Sequence, residues 1–262
     1  MLHSRVRLIS AAVRVNKYRS ATAAGLRRRK ESALEKRGTL AKIIGGSEAV
    51  VFDFDNVIVD SEPYHYKAYE GVFASMGHRL DRDEYWLEWT SKGGGAEGEI
   101  ARHGLDLEPD AVRREKDPVY SAFCRSGEIP LFEQAAELIE LFDSVGLRLA
   151  IASGSYSQDV RALLTAHGIP DRFEVVVGKD DSLETKPSPR PYELAAERLG
   201  LPPGRCFAIE DAEKGVISAR RAGMRVIVIK TAVTSSLKIE GADLALGSLG
   251  ELLDLSAGLL RR

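Results

Sequence analysis

Five short apolar runs between residues 48 and 229 constrain the fold of this chain more than any other feature. Each run contains at least one β-branched residue and has the length of a strand buried on both faces of a parallel sheet. Helical patterns lie between later runs, so the alternation predicts βαβ units and a doubly wound, Rossmann-like parallel sheet in an α/β fold. The runs are EAVVFDF (48–54), LRLAIAS (147–153), FEVVVG (173–178), CFAIE (206–210) and RVIVI (225–229).

The alternation is interrupted once, between the first two runs. Residues 64–76 place their apolar side chains on one helical face, and a second helix is predicted near 109–126, but no convincing strand occurs between them. A connection from a strand to a helix normally takes only a few residues. We therefore predict an inserted helical cap over residues 63–129, and a Rossmann-like core formed by residues 47–62 and 130–262.

The first 46 residues differ in charge from the rest of the chain. They contain 12 Lys and Arg and two acids, so of the chain's 37 basic and 39 acidic residues the remainder holds 25 and 37, a charge of −12. This asymmetry predicts a basic, flexible extension on an acidic body. The extension could be an organellar transit peptide, could contact nucleic acid or an anionic surface through RRRK (27–30), or could have no function of its own.

Composition excludes several other classes of protein. Hydrophobic residues make up 44% of the chain, yet no run approaches the roughly 18 apolar residues that a membrane-spanning helix needs. Cys124 and Cys206 are too far apart in sequence for a paired-ligand motif, which argues against a disulfide framework or a structural zinc site. We expect a cytoplasmic protein, or an organellar one if residues 1–46 are a transit peptide. Whether it is a monomer or a dimer stays open.

Two carboxylates close the first run. Asp53 and Asp55 stand two residues apart at the carboxyl end of the predicted strand. Such a pair suits a divalent cation, or a nucleophile paired with an acid or base. Taken alone, the pair could equally be a turn or a helix cap.

Three further polar motifs follow later runs. IASGS contains Ser153 and Gly154, where a hydroxyl and exposed backbone N–H groups can hold an anion. TKPSP contains Lys186, and AIEDAEKG contains Glu210 and Asp211. Because the carboxyl ends of parallel strands share one edge of the sheet, we expect these side chains to lie near the first pair.

These four ordered motifs and the cap resemble the haloacid dehalogenase superfamily of phosphohydrolases over about residues 48–246. The resemblance implies that Asp53 is the nucleophile that becomes an aspartyl-phosphate. It also implies that Asp55 is the general acid that protonates the leaving oxygen and then activates water. The other implied roles are phosphate binding by Ser153, Gly154 and Lys186, and Mg²⁺ binding by Asp53, the Asp55 backbone carbonyl, Asp211 and the adjacent Glu210.

The chain departs from the family pattern at two places. Asn56 follows the second aspartate where the family usually has glycine, and if that position needs a positive φ, asparagine tolerates it better than most residues. Arg190 replaces an aspartate of the third motif, which removes an expected helix N-cap. Neither change touches the implied chemistry directly.

The cap should select the substrate, and His65 and Lys92 are the candidates to reach it. The leading hypothesis is a Mg²⁺-dependent phosphatase that acts on a small phosphorylated metabolite such as a sugar phosphate. The alternative is phosphoryl transfer that resembles the reaction of beta-phosphoglucomutase, although Ala96 and Glu97 stand where that enzyme's pattern has an arginine. A non-catalytic binding module is a more remote alternative. We expect no membrane partner, and nucleic acid only at the basic extension.

Overall fold

A single parallel sheet forms the centre of the molecule in the computed structural model, which describes residues 32–91, 94–231, 234 and 239–260. Its six strands are β1 (Ala49–Phe52), β2 (Arg148–Ala152), β3 (Val175–Val177), β4 (Cys206–Glu210), β5 (Arg225–Ile229) and β6 (Leu244–Leu246). They lie in the order β3-β2-β1-β4-β5-β6. The first five match the predicted runs. The sixth was not predicted, because three residues, LAL, are too short to give a pattern.

Ten α-helices accompany the sheet in the described part of the chain, and helices cover both of its faces. They are α1 (32–45), α2 (Glu62–Ser75), α3 (Arg82–Glu84), α4 (Gly95–His103), α5 (Pro109–Ser126), α6 (Glu133–Ser144), α7 (Ser157–Ala166), α8 (Arg190–Leu199), α9 (Glu213–Arg221) and α10 (Leu249–Leu260). None of the described helices is long and apolar enough to cross a membrane. The predicted doubly wound α/β fold is confirmed.

The two faces of the sheet bury side chains of different size. Alternate residues of a strand point to opposite faces, so the large side chains of β1 and β4, such as Phe52 and Phe207, pack under α1, α6, α7 and α10. The small side chains between them, such as Ala208, lie against α8 and α9. Because these side chains are small, the helices α8 and α9 can pack close to the sheet.

The predicted cap corresponds to the helices α2 to α5, which have an apolar cluster of their own centred on Phe73, Tyr85 and Trp89. The chain enters and leaves this insertion along two adjacent segments. The Asp60 N–H donates to the Pro130 carbonyl at 2.9 Å, and the Phe132 N–H donates to that of Ile58 at 3.0 Å. The two connections therefore leave the core side by side, and the exact domain limits stay a prediction.

The boundary predicted at residue 46 requires a correction. Residues 32–45 form α1, and its Leu40, Ile43 and Ile44 are buried in the main core cluster. Lys36 also forms an ion pair with Glu251 of α10 at 2.6 Å. The basic composition concealed an amphipathic helix, because its charged residues face outward while a few apolar ones reach the core. The rest of the predicted extension, residues 1–31, lies outside the described residues.

Candidate active site

The polar motifs meet at the carboxyl edge of the sheet, beside β1 and β4. The Asp53 N–H donates to the Ile209 carbonyl at 2.9 Å, which extends the pairing of these two strands by one residue. Chain connections leave β1 and β4 toward opposite sides of the sheet, and this reversal opens a crevice at their carboxyl ends. The strands thus place Asp53 at the position where proteins of this topology bind ligands.

Lys186 joins the nucleophile candidate to the fourth motif. Its Nζ donates to Asp53 Oδ1 at 2.8 Å and to Glu210 Oε1 at 2.6 Å. The Tyr192 hydroxyl donates to the same Glu210 oxygen at 2.5 Å. Glu210 therefore fixes the lysine ammonium beside Asp53, a role that the sequence did not distinguish from metal binding.

Gly215 explains why a glycine follows the fourth motif. A Cβ atom at this position would lie 1.9 Å from Glu210 Oε1, far inside contact distance. Any larger residue would push the carboxylate away from Lys186, so the close approach of α9 to the site requires glycine.

Three buried carboxylates have an arrangement that fits a divalent cation. Oxygen atoms of Asp53, Glu210 and Asp211 all lie within 4.8 Å of one another. Burial and the charge of Glu210 raise the pKa of Asp53 to about 7, although Lys186 opposes this shift. Burial and the neighbouring Asp53 likewise raise the pKa of Asp211. Hard oxygen ligands in a region of excess negative charge are what Mg²⁺ prefers, so the donor set fits the implied ion.

Asp55 has different surroundings, made of hydroxyl groups. The Tyr120 hydroxyl donates to its Oδ1 at 2.8 Å, and the Ser155 hydroxyl donates to its Oδ2 at 2.7 Å. Ser153 Oγ lies 3.3 Å from the same Oδ2 and also accepts from the Ser155 N–H at 2.9 Å. His65 Nε2 stands 3.4 Å from Oδ1.

These donors keep Asp55 ionised. Burial by itself would raise its pKa, but the hydrogen bond and charge of His65 and the hydrogen bonds from Ser155 and Tyr120 outweigh burial. The pKa of Asp55 is therefore held below its usual range, opposite to that of Asp53 two residues earlier. Two carboxylates whose pKa values are driven apart can perform different tasks in one reaction.

Asn56 forms the turn after Asp55 and reaches the cap. Its φ of 59° lies in the left-handed region, where asparagine replaces the glycine usual in the family. Its side chain donates to Glu62 Oε2 at 3.0 Å, while Glu62 Oε1 accepts from the Tyr85 hydroxyl at 2.5 Å. Glu62 thus connects the turn after Asp55 to the interior of the cap.

Of the two cap residues predicted to reach the site, His65 does so. Its ring stacks on that of Tyr120 with centroids 3.9 Å apart. Lys92 lies outside the described residues.

Lys116 of α5 was not predicted, and it lies over the Tyr120 ring, with Nζ 4.3 Å from the centroid. It is nearly buried, and burial lowers its pKa.

The structure brings the other predicted residues together, with Gly154 exposed beside Ser153 and open space where a Cβ would lie. Ser155 could have been found from sequence, because it follows Ser153 by two positions in one loop. Tyr120 and Lys116 gave no signal, because helical periodicity indicates a buried face of α5 and not what that face contacts. Arg190 pairs with Glu197 at 2.7 Å, away from the chemistry. The catalytic roles of all these residues stay predictions.

Fold and site together define a hydrolase with a capped Rossmann-like core. A family model for "haloacid dehalogenase-like hydrolase" matches residues 48–223. The chain belongs to this family, which confirms the resemblance seen in its motifs, and it is an enzyme, a phosphoric monoester hydrolase.

Two curated relatives and one solved structure illustrate the likeness. Protein CbbY of Cereibacter sphaeroides is 35% identical over 80% of this chain and 98% of its own length. Fructose-1-phosphate phosphatase YqaB of Escherichia coli is 32% identical over 69% of this chain and 95% of its own. A mutant of CbbY from Rhodobacter sphaeroides, crystallised in complex with xylulose-(1,5)bisphosphate, has a TM-score of 0.66 and 34% identity over 79% of this chain and 96% of that one.

Proposed function

We propose that this enzyme is a Mg²⁺-dependent phosphatase of small sugar phosphates that works through an aspartyl-phosphate on Asp53. The observation that carries the proposal is the pair of carboxylates with opposite surroundings. Asp53 lies against Lys186 and the acidic cluster, whereas Asp55 accepts from the hydroxyl of Tyr120 in the cap and from that of Ser155 in the core. The relatives described as a fructose-1-phosphate phosphatase and as a complex with xylulose-(1,5)bisphosphate support a sugar phosphate as substrate.

In the first half-reaction an Asp53 oxygen attacks phosphorus and the bond from phosphorus to the sugar oxygen breaks. The sugar oxygen takes its proton from Asp55, which is ionised in the free enzyme and takes up that proton, from solvent or from a substrate monoanion, when the substrate binds. Lys186 offsets the repulsion between the attacking carboxylate and the phosphate dianion, and Ser153 with the backbone at Gly154 can hold phosphate oxygens. A phosphate dianion near Asp55 would oppose the hydroxyl donors and raise its pKa, because two negative charges repel.

In the second half-reaction water attacks the phosphorus of the aspartyl-phosphate and Asp55 accepts the water proton. Free phosphate leaves and the Asp53 carboxylate is restored. Asp55 is ionised at this stage because it has given its proton to the sugar oxygen, so its carboxylate is available to take a proton from water. Asp53, Asp211 and the Asp55 backbone carbonyl would hold Mg²⁺, with Glu210 beside them, and a bound ion would supply charge stabilisation for the phosphoryl group.

The test is a screen of phosphorylated sugars and other phosphomonoesters with the full-length protein and Mg²⁺, in which released phosphate is measured. We expect turnover of one or more sugar phosphates, loss of turnover with EDTA and recovery with added Mg²⁺. Mass spectrometry of the quenched reaction should find phosphate on the peptide that contains Asp53. Phosphate release that is insensitive to EDTA, or a phosphoenzyme at another residue, would contradict the proposal.

A mutase resembling beta-phosphoglucomutase is the second candidate. Lys116 favours it, because a nearly buried cation of the cap close to Asp55 could grip a second phosphate. Against it, the two residues that stand where that enzyme's pattern has an arginine carry no positive charge. Ala96 is buried, and Glu97 pairs with Arg113 of α5. Incubation with β-glucose 1-phosphate and a trace of the 1,6-bisphosphate should give free phosphate or no reaction. Faster formation of glucose 6-phosphate would favour the mutase.

A further inference from the structure

A second group of potential metal ligands lies in the helical insertion, separate in sequence from every motif discussed above. His78 lies between α2 and α3, and Glu84 is the last residue of α3. Glu99 and His103 are four residues apart on α4 and therefore share one face of that helix. Three separate segments of the cap thus contribute to one cluster.

The ligand atoms of this cluster have the spacing of a metal site. His78 Nε2 lies 2.8 Å from Glu99 Oε1, and His103 Nε2 lies 3.5 Å from that oxygen and 3.0 Å from Glu84 Oε1. Ligand atoms of His78, Glu99 and His103 all fall within 4.8 Å of one another. Tetrahedral Zn²⁺ with bonds of about 2.0–2.2 Å separates its ligand atoms by roughly 3.3–3.6 Å. Shifts of less than about 1 Å would bring these three ligand atoms to that spacing, and a larger movement of Glu84, which lies outside this group of three, would supply the fourth ligand.

The two oxygens of Glu99 have different partners. Oε2 accepts from Trp89 Nε1 at 3.0 Å and from Arg102 Nη2 at 2.5 Å, while Oε1 faces the two histidine rings. This carboxylate is fully buried, and its orientation is fixed from behind. Metal ligands are commonly oriented in this way by hydrogen bonds to the atom that does not bind the ion.

The local charge favours a dication. Arg102 contacts Glu84 at 2.5 Å, Glu88 at 3.8 Å and Glu99 at 2.5 Å. With neutral imidazoles, three carboxylates and one guanidinium give a charge of −2, which one divalent ion would offset. Arg102 would then keep its contact with Glu99 Oε2 and release Glu84 Oε1 to the metal.

The geometry points to a Zn²⁺ site formed by His78, Glu84, Glu99 and His103. Imidazole and carboxylate ligands suit Zn²⁺ better than Mg²⁺, and four protein ligands make a closed site of the structural kind. The side chain of His103 is 37% exposed, which leaves a path for the ion. The bound metal would fasten α4 to α3 and to the segment before it, independently of phosphoryl transfer at the sheet edge.

The test uses Co²⁺ as a probe, because tetrahedral Co²⁺ absorbs strongly in the visible and Zn²⁺ does not. Full-length protein is titrated with Co²⁺ in excess Mg²⁺, which occupies the acidic cluster around Asp53. We expect an intense visible band that saturates at one equivalent and disappears when Zn²⁺ is added. The variants His103→Gln and Glu84→Gln should lose the band, whereas His167→Gln and Asp53→Asn should keep it.

Stability measurements separate binding from folding. Zn²⁺ should raise the Tm of the wild type and leave that of His103→Gln unchanged, and without metal both proteins should melt at similar temperatures. Absence of the band in the wild type, or its persistence in His103→Gln, would overturn the site. Loss of the band in Asp53→Asn alone would assign the metal to the acidic cluster instead and would also overturn it.

Discussion

The two carboxylates of the candidate active site belong to two regions that are built differently. Asp53 lies on the core side, where strand ends bring Lys186, Glu210 and Asp211 to one edge of the sheet. Asp55 faces the cap side, where a tyrosine of α5 supplies one of its hydrogen bonds. The core side raises the pKa of its carboxylate and the cap side lowers it, although the two residues are almost adjacent. Local surroundings, not sequence position, therefore set the pKa of each acid.

Replacement of the core-side carboxylate should have the largest effect. Asp53→Asn removes the attacking oxygen, and we expect phosphate release to fall by about 10⁴-fold or more, equal to about 5 kcal/mol of transition-state stabilisation. The matched control is Asp143→Asn, because Asp143 is an exposed acid of α6 that pairs with Arg172. Its rate of phosphate release should stay within about twofold of the wild-type rate. Initial rates and a thermal melt of each variant check this. Comparable rates for Asp53→Asn and the wild type would remove the distinction between the two acids.

The core side also depends on α1, which the sequence did not assign to it. Removal of residues 1–46 exposes the apolar surface that Leu40 and Ile43 cover. Loss of two such side chains should cost at least about 4 kcal/mol of unfolding free energy. A chain that starts at residue 32 keeps the helix and serves as the control. Urea titration of both chains measures the difference, and equal midpoints would show that α1 is dispensable.

Replacement of the core-side cation should come next. Lys186→Met leaves Asp53 and Glu210 without their shared ammonium, so we expect a loss of about 10²- to 10³-fold in kcat. Lys214→Met on the exposed surface of α9 is the control and should not change the rate. Steady-state kinetics with the substrate found in the screen measures both. A loss confined to KM would mean that Lys186 binds substrate without stabilising the transition state.

The smallest effect is expected on the cap side. Tyr120→Phe removes one hydrogen bond to Asp55, and we expect a decrease in kcat of about tenfold, equal to about 1.4 kcal/mol. Tyr64→Phe is the matched control, because its hydroxyl joins α2 to the Glu128 carbonyl without contacting either acid. The kcat of Tyr64→Phe should stay within about twofold of the wild-type value. If both variants lose activity equally, the tyrosines hold the cap in place and do not tune Asp55.

The core side could be predicted from sequence because parallel strands impose a rule on their ends. Five apolar runs predicted five of the six strands, and the polar motifs at the ends of four runs, or in the loops that follow them, were expected to reach the same edge. Asp53, Ser153, Lys186 and Asp211 were therefore predictable as a group without any contact being known. At Asn56 the sequence supported only the conditional expectation that asparagine would tolerate a positive φ, and its φ of 59° is positive.

Tertiary structure alone decided the rest. Nothing in the sequence of α5 indicates that Tyr120 and Lys116 turn toward Asp55, because helical periodicity defines a buried face and not its partner. The same holds for α1, whose basic composition hid three core residues, and for Glu210, which binds Lys186 only because Gly215 lets the carboxylate approach. Sequence determined which residues meet at the edge of the sheet, because strands that alternate with helices run parallel and end at the same edge. Packing of the cap determined how the two acids differ, because contacts between distant segments set burial and hydrogen bonding.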